Sequence, residues 1–444
     1  MNEQLNLLED LIGRALKAGA DTADAIAVTG VSLSQAVRLG KPEHLERSEG
    51  SDLGLRVFIG KRQAIVSSSD SAPDTLDELC SRAVAMARAV PEDPDCGLAE
   101  PEQLATDFPD IESFDPAEPT ADELKERALR AEDAARAVPG ITNSEGGNAG
   151  WGMGRVAMAA SNGFAQEYAN SHHSISASVL AGAGTEMERD YDYSSTVFLN
   201  DLTAPEAIGK SAGEKTIRRL NPRKVETAEA PIVFDPRVSR SLIGHLSSAI
   251  NGAAVARGTS FLKDKMGEKL FADGINIIDD PHRKRGLRSR PFDGEGIATR
   301  KRHLIEGGEL TTWILDLHSA RKMGLETTGN ASRGTSSPPS PSVSNLYLEP
   351  GDISPQDLIG AIDQGFYVTE LIGFGVNGVT GDYSRGASGF WIENGKLAYP
   401  VSEVTIAGNL KDMFRELTPA DDLEFRYGTD APTVRVNGMT VAGR

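Results

Sequence analysis

Seven histidines and a large excess of acids are the residues of this 444-residue sequence that could do metal chemistry. A catalytic zinc site takes three protein ligands, an open fourth position, and a base, usually Glu, that accepts a proton from the bound water. The stretch "SRSLIGHLSSAI", Ser239 to Ile250, has helical periodicity. At about 100° per residue, Val238, Leu242, Leu246, Ala249, Ile250 and Ala253 share one stripe, with His245 at its edge. Such a stripe needs a core, and no acid and no second histidine occur from Ser239 to Thr259. His245 is therefore expected to be packed and hydrogen-bonded at a core edge. His172 and His173 are adjacent on a predicted strand, where neighbours point to opposite faces and cannot share one ion. His282, His303 and His318 fall in or beside loops and lack i, i+4 spacing.

Other motifs raise other chemistries. "GFGVNG", Gly373 to Gly378, matches the dinucleotide fingerprint, and Glu393 lies twenty residues after Gly373. The fingerprint works only where a helix N-terminus faces the pyrophosphate, and "VTGDYSRGASG" is too rich in glycine and β-branched residues to form that helix. Strands joined by tight turns are expected here. Within the segment, Asp382, Arg385 and Glu393 read either as one internal ion pair in a strand and turn system, or as contacts for an extended peptide held at a sheet edge or groove. "HRKRGLRSRP" places five basic side chains between Arg283 and Arg290, a solvated loop or a local patch for an acidic partner or a peptide carboxylate. No G-x-S-x-G elbow or equivalent supports a nucleophilic serine or cysteine.

The elements that must position these residues begin with an amphipathic helix, apolar at Leu5, Leu8, Leu11, Ile12 and Leu16. Alternation then predicts strands in "AIAVTGVSLSQAVRLG" and "GLRVFIGKRQAIVSSS", the second folding back at Gly60-Lys61. A helix from about Thr75 to Val90 follows. Six prolines from Pro91 to Pro119, and fifteen acids against three bases from Glu92 to Asp133, predict a solvated surface loop leading into the helix "ADELKERALRAEDAARAV". Strands return between Ile141 and Phe198, with a hairpin turn at Asn162-Gly163, and a helix near Pro205 to Leu220 closes this half. "NPRKVETAEAP", Asn221 to Pro231, interrupts all periodicity, so two domains are expected, 1–220 and 221–444. The fold class expected is α+β: helices packed on a sheet, then mainly antiparallel, partly barrel-like β-structure with one long helix over 238–256.

Composition bounds the function. The chain is 39% hydrophobic and 25% charged, as soluble proteins are, and its formal charge of −19 repels nucleic acid and anionic lipid. No apolar run approaches a membrane span, and the N-terminus carries acids where a signal peptide carries bases, so a cytoplasmic protein is expected. Cys80 and Cys96 are too few for a disulfide framework and are read as free thiols.

The C-terminal half resembles the TldD/PmbA family, in its PmbA (TldE) branch. The resemblance is carried by "FLKDKMGEKLFADGINIIDDP", "RPFDGEGIATRKRHLIEGGEL", "SARKMGLETTGNA", "VTELIGFGVNGVTGDYSRGASGFWIENG" and "YPVSEVTIAGNLKDMF", in family order between about Ile232 and Phe414. It implies a partner: a TldD-type subunit that supplies zinc through H-E-x-x-x-H and a late cysteine, with unfolded peptides cleaved in a channel between the two. Counting back from "RGTS", the positions matching the family's metal ligands are Ile243, Gly244 and Ser248, and no cysteine follows Cys96. The resemblance thus implies a chain with no zinc and no catalytic residue of its own, active only beside its partner. Two rivals are a self-sufficient hydrolase with metal held by scattered residues such as His172, His173 and Asp192, and a regulatory protein acting on DNA gyrase.

Overall fold

Alternating small apolar and polar residues after Gly19 build long strands. In the computed structural model, which describes residues 3–443, helix α1 (Glu3–Lys17) leads into β1 (Thr22–Arg38), β2 (Lys41–Ile59), β3 (Arg62–Ser68) and helix α2 (Pro73–Ala89). Helix α3 (Ala121–Arg136), β4 (Ile141–Ala160), β5 (Ala165–Ala181), β6 (Glu188–Thr196) and helix α4 (Pro205–Arg218) follow. The six strands form one antiparallel sheet in the order β3-β2-β1-β4-β5-β6. The two turns expected from the sequence fall at Gly60 and Gly163, both at positive φ, where a side chain would be strained. Ala23, Ala25 and Ala27 of β1, with Leu55 and Val57 of β2, pack on Leu8, Leu11, Leu76 and Leu79 of α1 and α2. Their small size lets the helices sit close to the sheet. Ile26 and Met158 face the other way and meet Phe164, whose ring lies edge-on to Phe292 at 5.1 Å.

Two features differ from expectation here. The first twelve residues of β2, Lys41 to Asp52, form a fully exposed strand in which no alternation exists to betray it. Its outer edge carries charged side chains that discourage strand addition. The acidic, proline-rich stretch is a strap rather than a solvated loop: Cys96, Ala99, Ala105, Ile111 and Asp115 are buried. Arg321 donates to the carbonyls of Gly97 and Leu98, and Arg285 N to that of Ile111, so distant residues satisfy its backbone.

The rest of the chain contains β7 (Ala228–Phe234), helices α5 (Pro236–Ala249) and α6 (Gly252–Ala256), β8 (Ile277–Asp279), β9 (Arg302–Glu306), β10 (Glu309–Leu310), helix α7 (Leu317–Met323), and the ribbon of β11 (Ala331–Ser332) and β12 (Ser340–Pro341). Then come β13 (Leu346–Leu348), helix α8 (Pro355–Gly360), β14 (Gln364–Ile372), β15 (Asp382–Glu393), β16 (Lys396–Asn409), helix α9 (Leu410–Arg415), β17 (Leu417–Pro419), β18 (Thr429–Asp430) and β19 (Val434–Ala442). Strands β16, β15, β14, β7 and β19 pair in that order, and β19 also pairs with β16 through Thr405–Ala407, closing a five-stranded barrel. Only the β7–β14 pair is parallel within it. A second sheet runs β10-β9-β8-β13-β18. This is the α+β, partly barrel-like architecture expected from the sequence. The helix expected over 238–256 breaks into α5 and α6, because Gly252 N and Ile250 O both bond to Ile314 and a Cβ at Gly252 would lie 2.5 Å from Leu315.

Buried charge ties the two halves together. Arg333, beside the Ser/Pro loop, reaches Asp24 of β1 at 2.7 Å, and Arg56 of β2 binds the same carboxylate. Burial opposes ionisation of Asp24, yet Arg333 and Arg56 hold its carboxyl below the usual range.

Candidate functional site

Helix α5 is started by Asp235, whose carboxylate accepts from Arg237 N at 2.9 Å, and by Pro236 in its first turn. Val238, Ser239, Leu242, Ile243, Leu246 and Ala249 are buried, and their hydrocarbon joins the core that includes Phe234 of β7 and Phe366 of β14. Arg237, Arg240, Ser241, Gly244 and Ser247, spaced three or four residues apart, form the opposite stripe and floor a cleft of about 590 Å³. Its walls are Arg189, Asp190 and Tyr191 of β6, Thr369, Glu370 and Leu371 of β14, Arg385 of β15 and Arg288 of the basic loop.

Ile243, Gly244 and Ser248, the positions that the resemblance was expected to match to metal ligands, separate on this helix. Ile243 is buried in the core, Gly244 lies on the cleft floor, and Ser248 is exposed with its hydroxyl donating to Gly244 O at 3.0 Å. Hydrocarbon, a missing side chain and a hydroxyl spent on its own helix do not fit zinc, which takes thiolate, imidazole or carboxylate. His245 packs edge-on to Tyr383 at 5.9 Å. The expected hydrogen bond is not found: Nε2 is buried without a partner among the described residues, as is the Tyr383 hydroxyl. Burial, and then the charge of Arg385, push the His245 pKa down to about 4, so it is neutral near pH 7.

Charge is unevenly balanced around the cleft. Arg237 Nη1 donates to Asp190 at 2.6 Å and its other nitrogens to Thr369 O, fastening β6 to α5 and β14. Arg219 binds Glu370 at 2.6 Å, Glu188 at 3.3 Å and Asp190 at 3.5 Å. Burial opposes ionisation of Asp190, but the bond and charge of Arg237, and then Arg219, keep its carboxyl below the usual range. Both acids of the cleft are thus taken. Arg240 lies over the Tyr427 ring at 4.2 Å, and Arg385 donates to Ile372 O at 3.4 Å. Among the described residues neither these two nor Arg288 has a carboxylate in ion-pair reach.

Of the segment singled out in sequence, only Arg385 reaches the cleft. Asp382 is held by Thr380 and by Asn409 at 3.0 Å, whereas Glu393 ends the same strand, about 36 Å away at 3.3 Å per residue. The internal ion pair is therefore absent. Strand β15 offers no edge either, being paired with β16 and, through β14 and Gly375, on its other side. The "GFGVNG" loop runs into a strand, not a helix, and Phe374 at its tip is fully exposed. In the basic loop, Lys284 and Arg285 bind Glu112, Arg290 donates to Ala331 O and Ser342 O, and Arg288 alone faces the cleft.

The scattered set does not assemble. His173 is buried 3.4 Å from Asp115, His172 lies on the other face over Gly152, and Asp192 is held by Lys215 at 3.0 Å and Arg426 at 3.2 Å. Among the described residues a different group, Asp93, Asp95 and His318, brings ligand atoms within 4.8 Å of one another. His318 Nε2 lies 3.0 Å from Asp93, at a smaller cavity of about 270 Å³ that Glu295 also lines. Burial holds the Glu295 carboxyl well above its usual range. The two sides of this group are 225 residues apart, which no local pattern could join.

Three family profiles match in order: PmbA/TldA metallopeptidase domain 1 over residues 23–87, the central domain over 114–220 and the C-terminal domain over 227–443. The chain is 40% identical over 448 aligned residues to the metalloprotease PmbA of Escherichia coli O157:H7, covering 99% of this chain and 97% of the relative. A crystal structure from Bacteroides thetaiotaomicron, named as a modulator of DNA gyrase, is 29% identical with a TM-score of 0.91 over the whole of both chains. TldE from Thermococcus kodakarensis, 23% identical, has the same fold with a TM-score of 0.86 over 98% of this chain and all of that one.

Proposed function

The chain belongs to the PmbA/TldD metallopeptidase family, and we propose that it acts there as the subunit without zinc, pairing with a TldD-type subunit and lining the channel that holds unfolded peptides for cleavage. Helix α5 carries this reading. It keeps its cap, its core face and a cleft along its outer face, and in this reading Ile243, Gly244 and Ser248 take the places of the family's ligands. A helix built in this way is suited to bind a chain and not to activate water. Within this reading residues 1–220 and 221–444 are two domains, the cleft lies where they meet, and zinc resides in the partner. Among the described residues no helix is long and apolar enough to cross a membrane, and the reading places the complex in the cytoplasm, acting on peptides and not on nucleic acid.

Elemental analysis of the isolated chain, followed by peptide cleavage with and without a TldD-type subunit, tests the proposal. The chain alone should hold no stoichiometric zinc and cleave nothing, and the mixture should form a complex that cleaves. One observation favours a second reading, a self-sufficient metal-dependent hydrolase: the group of Asp93, Asp95 and His318. On that reading His318→Ala should remove bound metal and activity together. A role at DNA gyrase has only a relative's name behind it.

A further inference from the structure

The charge around α5 exceeds what gripping a peptide backbone requires. In a chain of formal charge −19, the cleft is lined by five arginines and two acids, and both acids are already paired. Arg240, Arg288 and Arg385 keep their charge unmatched while sharing one concave space, an arrangement whose mutual repulsion a counter-charge relieves. Two of the three are braced, Arg240 by the face of Tyr427 and by Arg237 O at 3.2 Å, and Arg385 by Ile372 O. The floor beneath them is open, since a Cβ at Gly244 would meet nothing within 4 Å.

We propose that the α5 cleft selects carboxylates, with Arg240, Arg288 and Arg385 receiving either an Asp or Glu side chain or the C-terminal carboxylate of an extended peptide. A guanidinium presents two parallel donors that match the two oxygens of a carboxylate, and concave walls concentrate the field of the cluster on whatever enters. That the ligand is a peptide rests on the proposed function; the preference for negative charge rests on the arginines.

The test is fluorescence anisotropy of the full chain with three short, unstructured, labelled peptides: one with a Glu and an amidated end, one neutral with a free C-terminus, and one neutral and amidated. At least one carboxylate-bearing peptide should bind about tenfold tighter than the neutral amide, and which of them does so names the source. The gap should close in high salt and shrink to about twofold in Arg288→Gln/Arg385→Gln. Arg288 is exposed and its side chain donates no hydrogen bond among the described residues, so Arg288→Gln alone should fold normally and still lower the preference. Equal binding of all three peptides, a preference unchanged in folded variants, or tighter binding of a single-stranded oligonucleotide than of either acidic peptide would each overturn the inference. If acidic peptides are preferred but the chain neither joins a TldD-type subunit nor supports cleavage, the proposed function falls and the charge preference stands. If the complex cleaves but charge makes no difference, the inference falls alone.

Discussion

Replacing Asp190 with Asn should loosen the joint between β6, α5 and β14 that shapes the cleft. Asp190 is 3% exposed and accepts from Arg237 at 2.6 Å and from Arg219 at 3.5 Å. Asparagine keeps the volume and removes the charge. Breaking one side of a buried ion pair costs about 3–5 kcal/mol when the remaining charge is stranded. Here Arg237 keeps the Thr369 carbonyl and Arg219 keeps Glu370 and Glu188, so neither charge is stranded and the loss should fall below that range, to about 2–3 kcal/mol. The sign of the pH dependence follows from the depressed pKa of Asp190. Its contribution is present above the unfolded value of 3.8 and is lost as pH falls through the lower folded value. Urea unfolding followed by tryptophan fluorescence should show the full gap between variant and parent near pH 7 and a narrowing gap below about pH 4. A loss under about 1 kcal/mol, the scale of an exposed ion pair, or a gap that widens in acid would refute the argument.

His245→Phe keeps the packing on Tyr383 and removes a buried nitrogen without a partner, so stability near pH 7 should change by no more than about 1 kcal/mol. Because the folded pKa of His245 is lowered to about 4 from 6.5, the unfolded chain binds the extra proton between those values, and as pH falls through that window the parent should lose more stability than the variant; equal slopes in melts over the window would contradict this. Gly54→Ala places a Cβ 2.2 Å from Thr335 O where the Ser/Pro loop meets β2, and should lower stability by about 1–3 kcal/mol; an unchanged melting temperature would show that the two segments do not touch. The Cys80 thiol is 1% exposed and burial pushes its pKa up to about 11, so a thiol reagent at neutral pH should modify it only after unfolding.

Local pattern was enough for β1, β4, β5 and the turns at Gly60-Lys61 and Asn162-Gly163, because alternation and glycine turn chemistry act over a few residues. It was not enough for Lys41–Asp52, whose strand is imposed by pairing with β1 and leaves no buried face to pattern. Nor did prolines and acids reveal that the 91–119 strap is held down by Arg285 and Arg321, far along the chain. At the site, the apolar stripe of α5 was legible, as was Arg385 as a residue to watch. Asp382 and Glu393 were grouped with it because they are near in sequence, but an extended strand carries them to opposite ends. The arginines of the cleft come from β6, α5, the basic loop and β15, and only the closed fold brings them together.

The most direct test of the central claim is zinc content measured beside peptide cleavage, first on the isolated chain and then on its mixture with a TldD-type subunit. The account predicts no stoichiometric zinc and no cleavage from the chain alone, and a stable complex with zinc and cleavage from the mixture. Stoichiometric zinc in the isolated chain, with chelator-sensitive cleavage that disappears in His318→Ala, would contradict it.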